Sequence, residues 1–425
     1  MKTMRESFLH YLWRTRRFDM LDLQTTLHQS VQILHPGEYN THSGPDFFNA
    51  RLSIDGTLWA GNVEMHLYAS EWLGHQHDKD PAYDSVILHV VLKEDLPVFR
   101  PDGSRIPCLE LEHRIPEPLL HRYVQLESAQ TWIPCQSSFA DAPEIIKNQW
   151  LDRVLIERME EKTKTVQHLL DHTGHHWEEV LYQTIARNFG LKINMDPFEM
   201  LARTLPIKLL ARHRQQPHQL EALIFGQAGF LDAPFLDPYP QLLIREYHHL
   251  SHKYQLNPLR KEQWKFFRLR PSSFPTIRLA QFSALIQQTD HLLATLLECN
   301  SPSEMKALFK VTPANYWADH FQFDTPSIQQ EKSLSKEFID LLLINAVAPF
   351  LFFYGQHKGI DRPQDQAFML LESLPPETNS MVKIWKTMGC TCSNAFQTQA
   401  LIHLKTRYCD HRRCLDCAIG NALLK

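Results

Sequence analysis

Between Phe47 and Leu67 apolar and polar side chains alternate with a period of two. Phe48, Ala50, Leu52 and Ile54 are apolar, and Asn49, Arg51 and Ser53 are polar. Asp55-Gly56 follows, a strong type I′ turn signal between two alternating runs. From Thr57 to Leu67 the apolar set is Trp59, Val63, Met65 and Leu67, with Gly61 among them, while Asn62, Glu64 and His66 are polar. A two-residue turn pairs Leu52 with Trp59, Ala50 with Gly61 and Phe48 with Val63, so turn and hydrophobic pattern dictate one register. Ser85–Leu92 is a near-continuous apolar run, the pattern of a central strand buried on both faces. Leu96–Leu111 offers a second hairpin around Pro101-Asp102-Gly103. Before the first hairpin, Arg5–Phe18 has the spacing of an amphipathic helix with Phe8, Tyr11 and Leu12 toward the core. Val31–Leu34 reads as a short strand ended by His35-Pro36-Gly37.

The proline-bearing stretch from Ile115 to Pro143 reads as a junction. Beyond it the period becomes helical, first in a long helix from Ile145 to Leu170, then in shorter ones that include Trp177–Phe189, Arg260–Leu269, Leu334–Tyr354 and Arg413–Leu424. The pattern predicts an α+β chain. An α/β domain with a mixed sheet occupies 1–135, and a larger all-α domain occupies 136–425 and ends in a cysteine cluster at 380–425.

Composition changes this picture little. The net charge of −4 does not advertise a nucleic-acid partner. Met1–Met20 is charged throughout, unlike a signal peptide. The longest apolar stretch, Leu341–Tyr354, falls short of the roughly 20 residues of a membrane helix and reads as buried. The expectation is a cytoplasmic chain without a membrane partner. The sequence gives no oligomeric state.

Histidine is abundant, at 24 residues, and several lie on or beside the hairpin. The register brings Asp46 opposite Met65, between Glu64 and His66, which share one face. Two carboxylates suit Mg²⁺ or Mn²⁺, and added imidazole shifts preference toward Mn²⁺ or Zn²⁺. Strict alternation puts Asp46 on the opposite face from Glu64, so a bulge, or a break at Pro45, is needed to unite them. The polar connection Ala69–Tyr83 carries His75, His77 and Asp80 and has two readings, a source of ligands or a solvated loop. His89, inside the apolar run, reads as a core histidine or an assisting group.

Pro45-Asp46, a hairpin, and Glu64-Met65-His66 on its second strand resemble the core of the PD-(D/E)xK nuclease superfamily. That resemblance implies Mg²⁺ held by Asp46 and Glu64. His66 stands where the superfamily has the lysine that assists the attacking water, so it either takes over as base or ligand or marks a dead site. A second resemblance spans nearly the whole chain. Phe8–Trp13, Ser43–Arg51, Trp59–His66, Ala82–Asp84 with Val86–Val91, Arg270-Pro271 with Arg278–Gln281, and Tyr408-Cys409 with Cys414–Cys417 are similar to domain-of-unknown-function family 2851. It implies no activity.

Five of eight cysteines lie late: Cys390, Cys392, Cys409, Cys414 and Cys417. In a cytoplasmic chain such clustering points to a metal rather than disulfides. Cys414-x-x-Cys417 with Cys409, closed by Cys390-x-Cys392, suits Zn²⁺ or a [4Fe–4S] cluster. Lys261, Lys265, Arg268, Arg270 and Arg278 interleave with Trp264, Phe266, Phe267 and Phe274. That is either a phosphate-and-base surface or a helix burying its aromatic face. The leading functional reading is a metal-dependent nuclease or phosphodiesterase using Asp46, Glu64 and His66, assisted by His89 or His77. Two alternatives stand beside it. One is a non-catalytic nucleic-acid-binding or scaffold protein. The other is a small-molecule hydrolase with a metal on His66, His75, His77 and His89.

Overall fold

The computed structural model describes residues 4–425. The chain folds as α+β in two compact units, one made of Met1–Leu151 and His403–Lys425, the other of Asp152–Ile402. The last 23 residues (403 to 425) therefore group with the sheet and not with the helices, where the sequence pattern had put them.

The first unit opens with α1 (Glu6–Thr15), which buries Phe8, Leu9, Tyr11, Leu12 and Trp13 and ends on Arg16 in the left-handed region. Strands β1 (Val31–His35), β2 (Glu38–Tyr39), β3 (Phe47–Ile54), β4 (Thr57–Tyr68), β5 (Val86–Lys93) and β6 (Cys108–Glu110) form one sheet in the order β1-β3-β4-β5-β6, with β2 beside β3. The β3–β4 pair is antiparallel, whereas β4–β5 and β5–β6 are parallel. Every residue of β5 except Lys93 is buried. Its near-continuous apolar run follows from having a strand on each side and packed faces.

Asp55 and Gly56 both have positive φ, as a type I′ turn requires. Leu52 pairs with Trp59 and Ala50 with Gly61, but Phe47, not Phe48, lies opposite Val63. The extra residue is a β-bulge at Phe48-Asn49, with Asn49 at φ 59°. The second expected hairpin shrinks to a bridge between Phe99 and Arg105. Pro97, Pro101 and Pro107 remove ladder donors, and the following residues pair instead with β5 as β6. The connection from β4 to β5 holds α2 (Glu71–Gly74) and 3₁₀ turns at His77–Lys79 and Pro81–Tyr83. It is ordered by Glu71, whose carboxylate accepts the Leu67 and Tyr68 N–H groups at 2.9 and 3.1 Å. After β6, α3 (Glu117–Ser128) sets Tyr123 on Phe8, with ring centroids 3.9 Å apart.

The long helix α4 (Glu144–His172) begins in the first unit and continues in the second. The second unit is helical, led by α5 (Trp177–Phe189) and α6 (Leu191–Thr204). Its helix Lys336–Lys358 is long and apolar enough to cross a membrane, yet 83% of its apolar window is buried within the protein. A π-helical turn at Leu343–Val347 interrupts it. The expected helix at Arg260–Leu269 is a 3₁₀ turn at Lys261–Gln263 followed by irregular chain. Trp264 there is pinned by its indole N–H to the Ala228 carbonyl at 2.8 Å. Arg278 is buried, with its guanidinium 3.5 Å above the Phe338 ring, while Phe267 is exposed.

Candidate metal centre

The bulge decides where Asp46 points. By consuming one residue of β3 it slides Asp46 into line with Glu64, and the two acids meet at the end of the hairpin. The Asp46 backbone N–H donates to Glu64 Oε2 at 3.1 Å, and the Met65 N–H donates to Asp46 Oδ2 at 2.9 Å. Asp46 also faces α1, where His10 Nε2 lies 3.2 Å from Asp46 Oδ2 and 3.4 Å from Glu6 Oε1. Tyr39 completes this side through a 3.3 Å contact with His10 Nδ1.

On its other oxygen Glu64 faces histidines. His77 Nε2 is 3.2 Å and His66 Nε2 3.7 Å from Glu64 Oε1. His75 Nδ1 is 3.2 Å from His66 Nε2. Donors bonded to one tetrahedral ion at about 2.0–2.1 Å sit about 3.3–3.4 Å from one another. The three contacts at 3.2, 3.2 and 3.7 Å lie near that spacing and link Glu64 to His66 and His77, and His66 to His75. His66, His75 and His77 meet as a group, as do Glu6, His10 and Asp46.

Each donor is positioned by its element. Glu64 and His66 are two apart on β4 and so share a face. Parallel register sets Glu64 against His89 of β5, and His89 Nε2 reaches His66 Nδ1 at 2.9 Å. If His66 Nε2 is to keep its lone pair for an ion, Nδ1 carries the proton and donates to His89, the usual support of a ligating histidine. His77 is clamped by rings, stacked on Tyr83 at 3.8 Å and edge-on to Trp72 at 5.4 Å. His75 is exposed and marks the side open to solvent.

The electrostatics fit a cation. Burial, reinforced by the Asp46 charge, pushes the Glu64 carboxyl up to about 9. Burial also drives His66 and His89 down to about 3, each further lowered by neighbouring imidazoles, and lowers His77. His66 and His77 are thus neutral, with lone pairs free to ligate, and a bound dication reverses the penalty on the carboxylate. For His10 burial opposes charge, but Asp46 and Glu6 outweigh it and raise the imidazole to about 9.

Residues 6–380 match the sequence pattern of a family of proteins of unknown function, DUF2851. The chain belongs to this family. No curated protein and no solved structure matches it. In this DUF2851 member the residues read from sequence as a site, Asp46, Glu64, His66, His77 and His89, gather in one place. Glu6, His10 and Tyr39 join them from α1 and β2. The signal for the first two was the i, i+4 spacing of Glu6 and His10 on an amphipathic helix.

The late cysteines divide. Cys409, Cys414 and Cys417 lie in the first unit, whereas Cys390 and Cys392 belong to the second. The chain's end returns to the segment that follows α3, where Arg412 donates to the Leu126, Glu127 and Ala129 carbonyls. The Cys409 and Cys414 thiols each feel the charge of Cys135 as well as of Cys417.

Proposed function

We propose that this DUF2851 member is a metal-dependent hydrolase of phosphodiesters, with one ion on Glu64, His66, His75 and His77 and with Asp46 completing the centre. The observation that carries this reading is the placing of Glu64. One oxygen faces Asp46 and the other faces the histidines, at spacings that suit a common ion. Three imidazoles favour Mn²⁺ or Zn²⁺ over Mg²⁺. An ion there supplies a water of lowered pKa and polarises a phosphoryl oxygen. The protein's own groups do the rest. His66 is oriented by His89, and His77 is held by Tyr83 and Trp72. His10, kept cationic beside Asp46 and Glu6, holds the Asp46 carboxylate in place. The paired acids at a hairpin end support phosphodiesters as the substrate class, since this is the arrangement the PD-(D/E)xK resemblance implies, with His66 in the lysine position.

A second reading, a hydrolase of small molecules at the same centre, is favoured by the three histidines of the donor set. Purified protein incubated with Mn²⁺, Zn²⁺ or Mg²⁺ separates the two readings. The substrates are single- and double-stranded DNA and RNA and a small chromogenic phosphodiester. Polynucleotide cleavage that is lost in Glu64→Ala supports the first reading. Turnover of the small ester alone supports the second. Nucleic-acid binding without any turnover leaves a non-catalytic binding protein and sinks both.

A further inference from the structure

Four helices of the second unit surround a cavity of about 360 Å³, toward the lower end of the range for small-molecule sites. Lys162, Val166 and Leu169 bring one face of α4 to it. Arg187 comes from α5, Leu191 and Lys192 from α6, and Leu341 and Asn345 from the helix Lys336–Lys358. The lining thus holds three cations, and among the described residues no aspartate or glutamate lines it. Lys162 is held there by oriented amides. Asn345 lies in the π-helical turn Leu343–Val347 and donates Nδ2 to the Leu341 carbonyl at 3.0 Å, which fixes the amide so that its Oδ1 meets Lys162 Nζ at 3.0 Å. Gln399 is fixed in the same way. Its Nε2 donates to the Glu377 carboxylate, and its Oε1 accepts from Lys162 at 2.9 Å and from Arg158. The third acceptor, the Ile344 carbonyl, lies at 3.5 Å, the outer limit of a hydrogen bond.

We infer that this cavity binds a small amphipathic oxyanion, a carboxylate or phosphate monoester on a short apolar body, with its head on Lys162, Arg187 and Lys192 and its body against Val166, Leu169, Leu191 and Leu341. The three oxygens around Lys162 are all uncharged, and a cation taken out of water needs a counter-charge as well as hydrogen bonds. Glu377, whose charge acts on Lys162, bonds Gln399 instead. Burial and the Arg158 charge accordingly lower the ammonium, and an anion seated beside it reverses that penalty. The long contact to Ile344 leaves the third Lys162 hydrogen for such an anion. Arg187 meets Asp196 and Glu199 through Nη1, and a guanidinium carries five N–H donors. Charge-assisted bonds from fixed donors bind carboxylate and phosphate oxygens strongly. The turn that presents Asn345 is of a kind frequent at functional sites. The inference is independent of the hairpin centre and needs no metal.

The test is titration calorimetry on the full chain, in metal-free buffer at low salt, with octanoate, octyl phosphate, octanol and inorganic phosphate as probes. Octanoate or octyl phosphate should bind at one equivalent, and whichever binds more tightly names the head group. Octanol, which lacks the charge, and inorganic phosphate, which lacks the apolar body, should each bind at least about tenfold more weakly, the loss expected when a charged hydrogen bond or a buried apolar group is removed. Lys162→Met should weaken the anionic probe by about tenfold or more and leave octanol unchanged. Lys192 is exposed, so Lys192→Glu should fold normally and still weaken the anion by about fivefold or more. This second variant decides the matter if Lys162→Met does not fold. The proposal is overturned if neither anion saturates the protein at millimolar concentration, or if octanol binds as tightly as they do. Inorganic phosphate binding as tightly as octyl phosphate would overturn the apolar half of the site. Unchanged affinity in Lys192→Glu would overturn the placing of the head group.

Discussion

Asp46 donates its backbone N–H to the side chain of Glu64 across 3.1 Å. The contact exists only because β3 carries one residue more than its hairpin partner needs. Without the bulge at Phe48-Asn49, Asp46 would fall opposite Met65 and its side chain would turn to the other face of the sheet.

The bulge is therefore a testable part of the site. Asn49 has φ 59°, a conformation that costs a β-branched residue about 1–2 kcal/mol and glycine almost nothing. Asn49→Val should lower both the melting temperature and Mn²⁺ affinity. Asn49→Gly should retain both within a few-fold. Equal affinities in the two variants would remove the bulge from the account.

Gly61 lets β4 lie against β5 in the register that aligns Glu64 with His89. A Cβ at Gly61 would come within 2.5 Å of Ile87 Cγ2 and 2.6 Å of the Ser85 carbonyl oxygen. Gly61→Ala should cost about 1–3 kcal/mol as overpacking, seen as a melting temperature lower by several degrees. An unchanged melting curve would mean that the two strands part without penalty.

The sheet domain was legible from sequence to the extent that its patterns were local. The Asp55-Gly56 turn and the alternating runs on either side determine Leu52–Trp59 and Ala50–Gly61. The near-continuous apolar run Ser85–Leu92 pointed to the central strand that β5 is. The bulge was not legible as a position, because the apolar–polar alternation runs unbroken through Phe48-Asn49 and no glycine marks it. The requirement for it was visible in the misplacement of Asp46 alone. The segment Arg260–Leu269 has helical spacing, but Trp264 finds its hydrogen-bond partner and burial in an irregular chain, and tertiary packing overrides local preference.

Lys162 in the helical unit gives a pH signature independent of any metal. Burial, aided by the Arg158 charge, lowers its ammonium from 10.5 to about 7. It donates to Asn345 Oδ1 at 3.0 Å and Gln399 Oε1 at 2.9 Å. The unfolded chain binds this proton up to about 10.5 and the folded chain only to about 7. Between those values the unfolded state holds more protons, so stability rises with pH. Denaturant titrations from pH 6.5 to 10 should show that rise in the wild type. Lys162→Met should flatten it. A slope that survives the substitution would assign the pH dependence to another group.

The centre predicts unequal roles for its histidines. His77 places a ring nitrogen beside Glu64 and His75 places one beside His66, while His89 contacts the far nitrogen of His66. His75→Ala and His77→Ala should each weaken metal binding by about 100-fold or more. His89→Ala should do so by roughly 10–100-fold, the range for a supporting partner. Mn²⁺ titration calorimetry on folded variants reads the order. A loss for His89→Ala as large as for His77→Ala would make His89 a direct ligand.

The most direct measurement of the whole account is Mn²⁺ binding followed by the electron paramagnetic resonance signal of the free ion. Wild type and Glu64→Ala would be compared at matched concentration, with circular dichroism confirming the fold. One equivalent taken up by the wild type, and affinity at least about 100-fold weaker in Glu64→Ala, is the predicted result for a ligand lying between Asp46 and the histidines. Equal uptake by both proteins, or none by the wild type, would contradict a metal centre at the end of this hairpin.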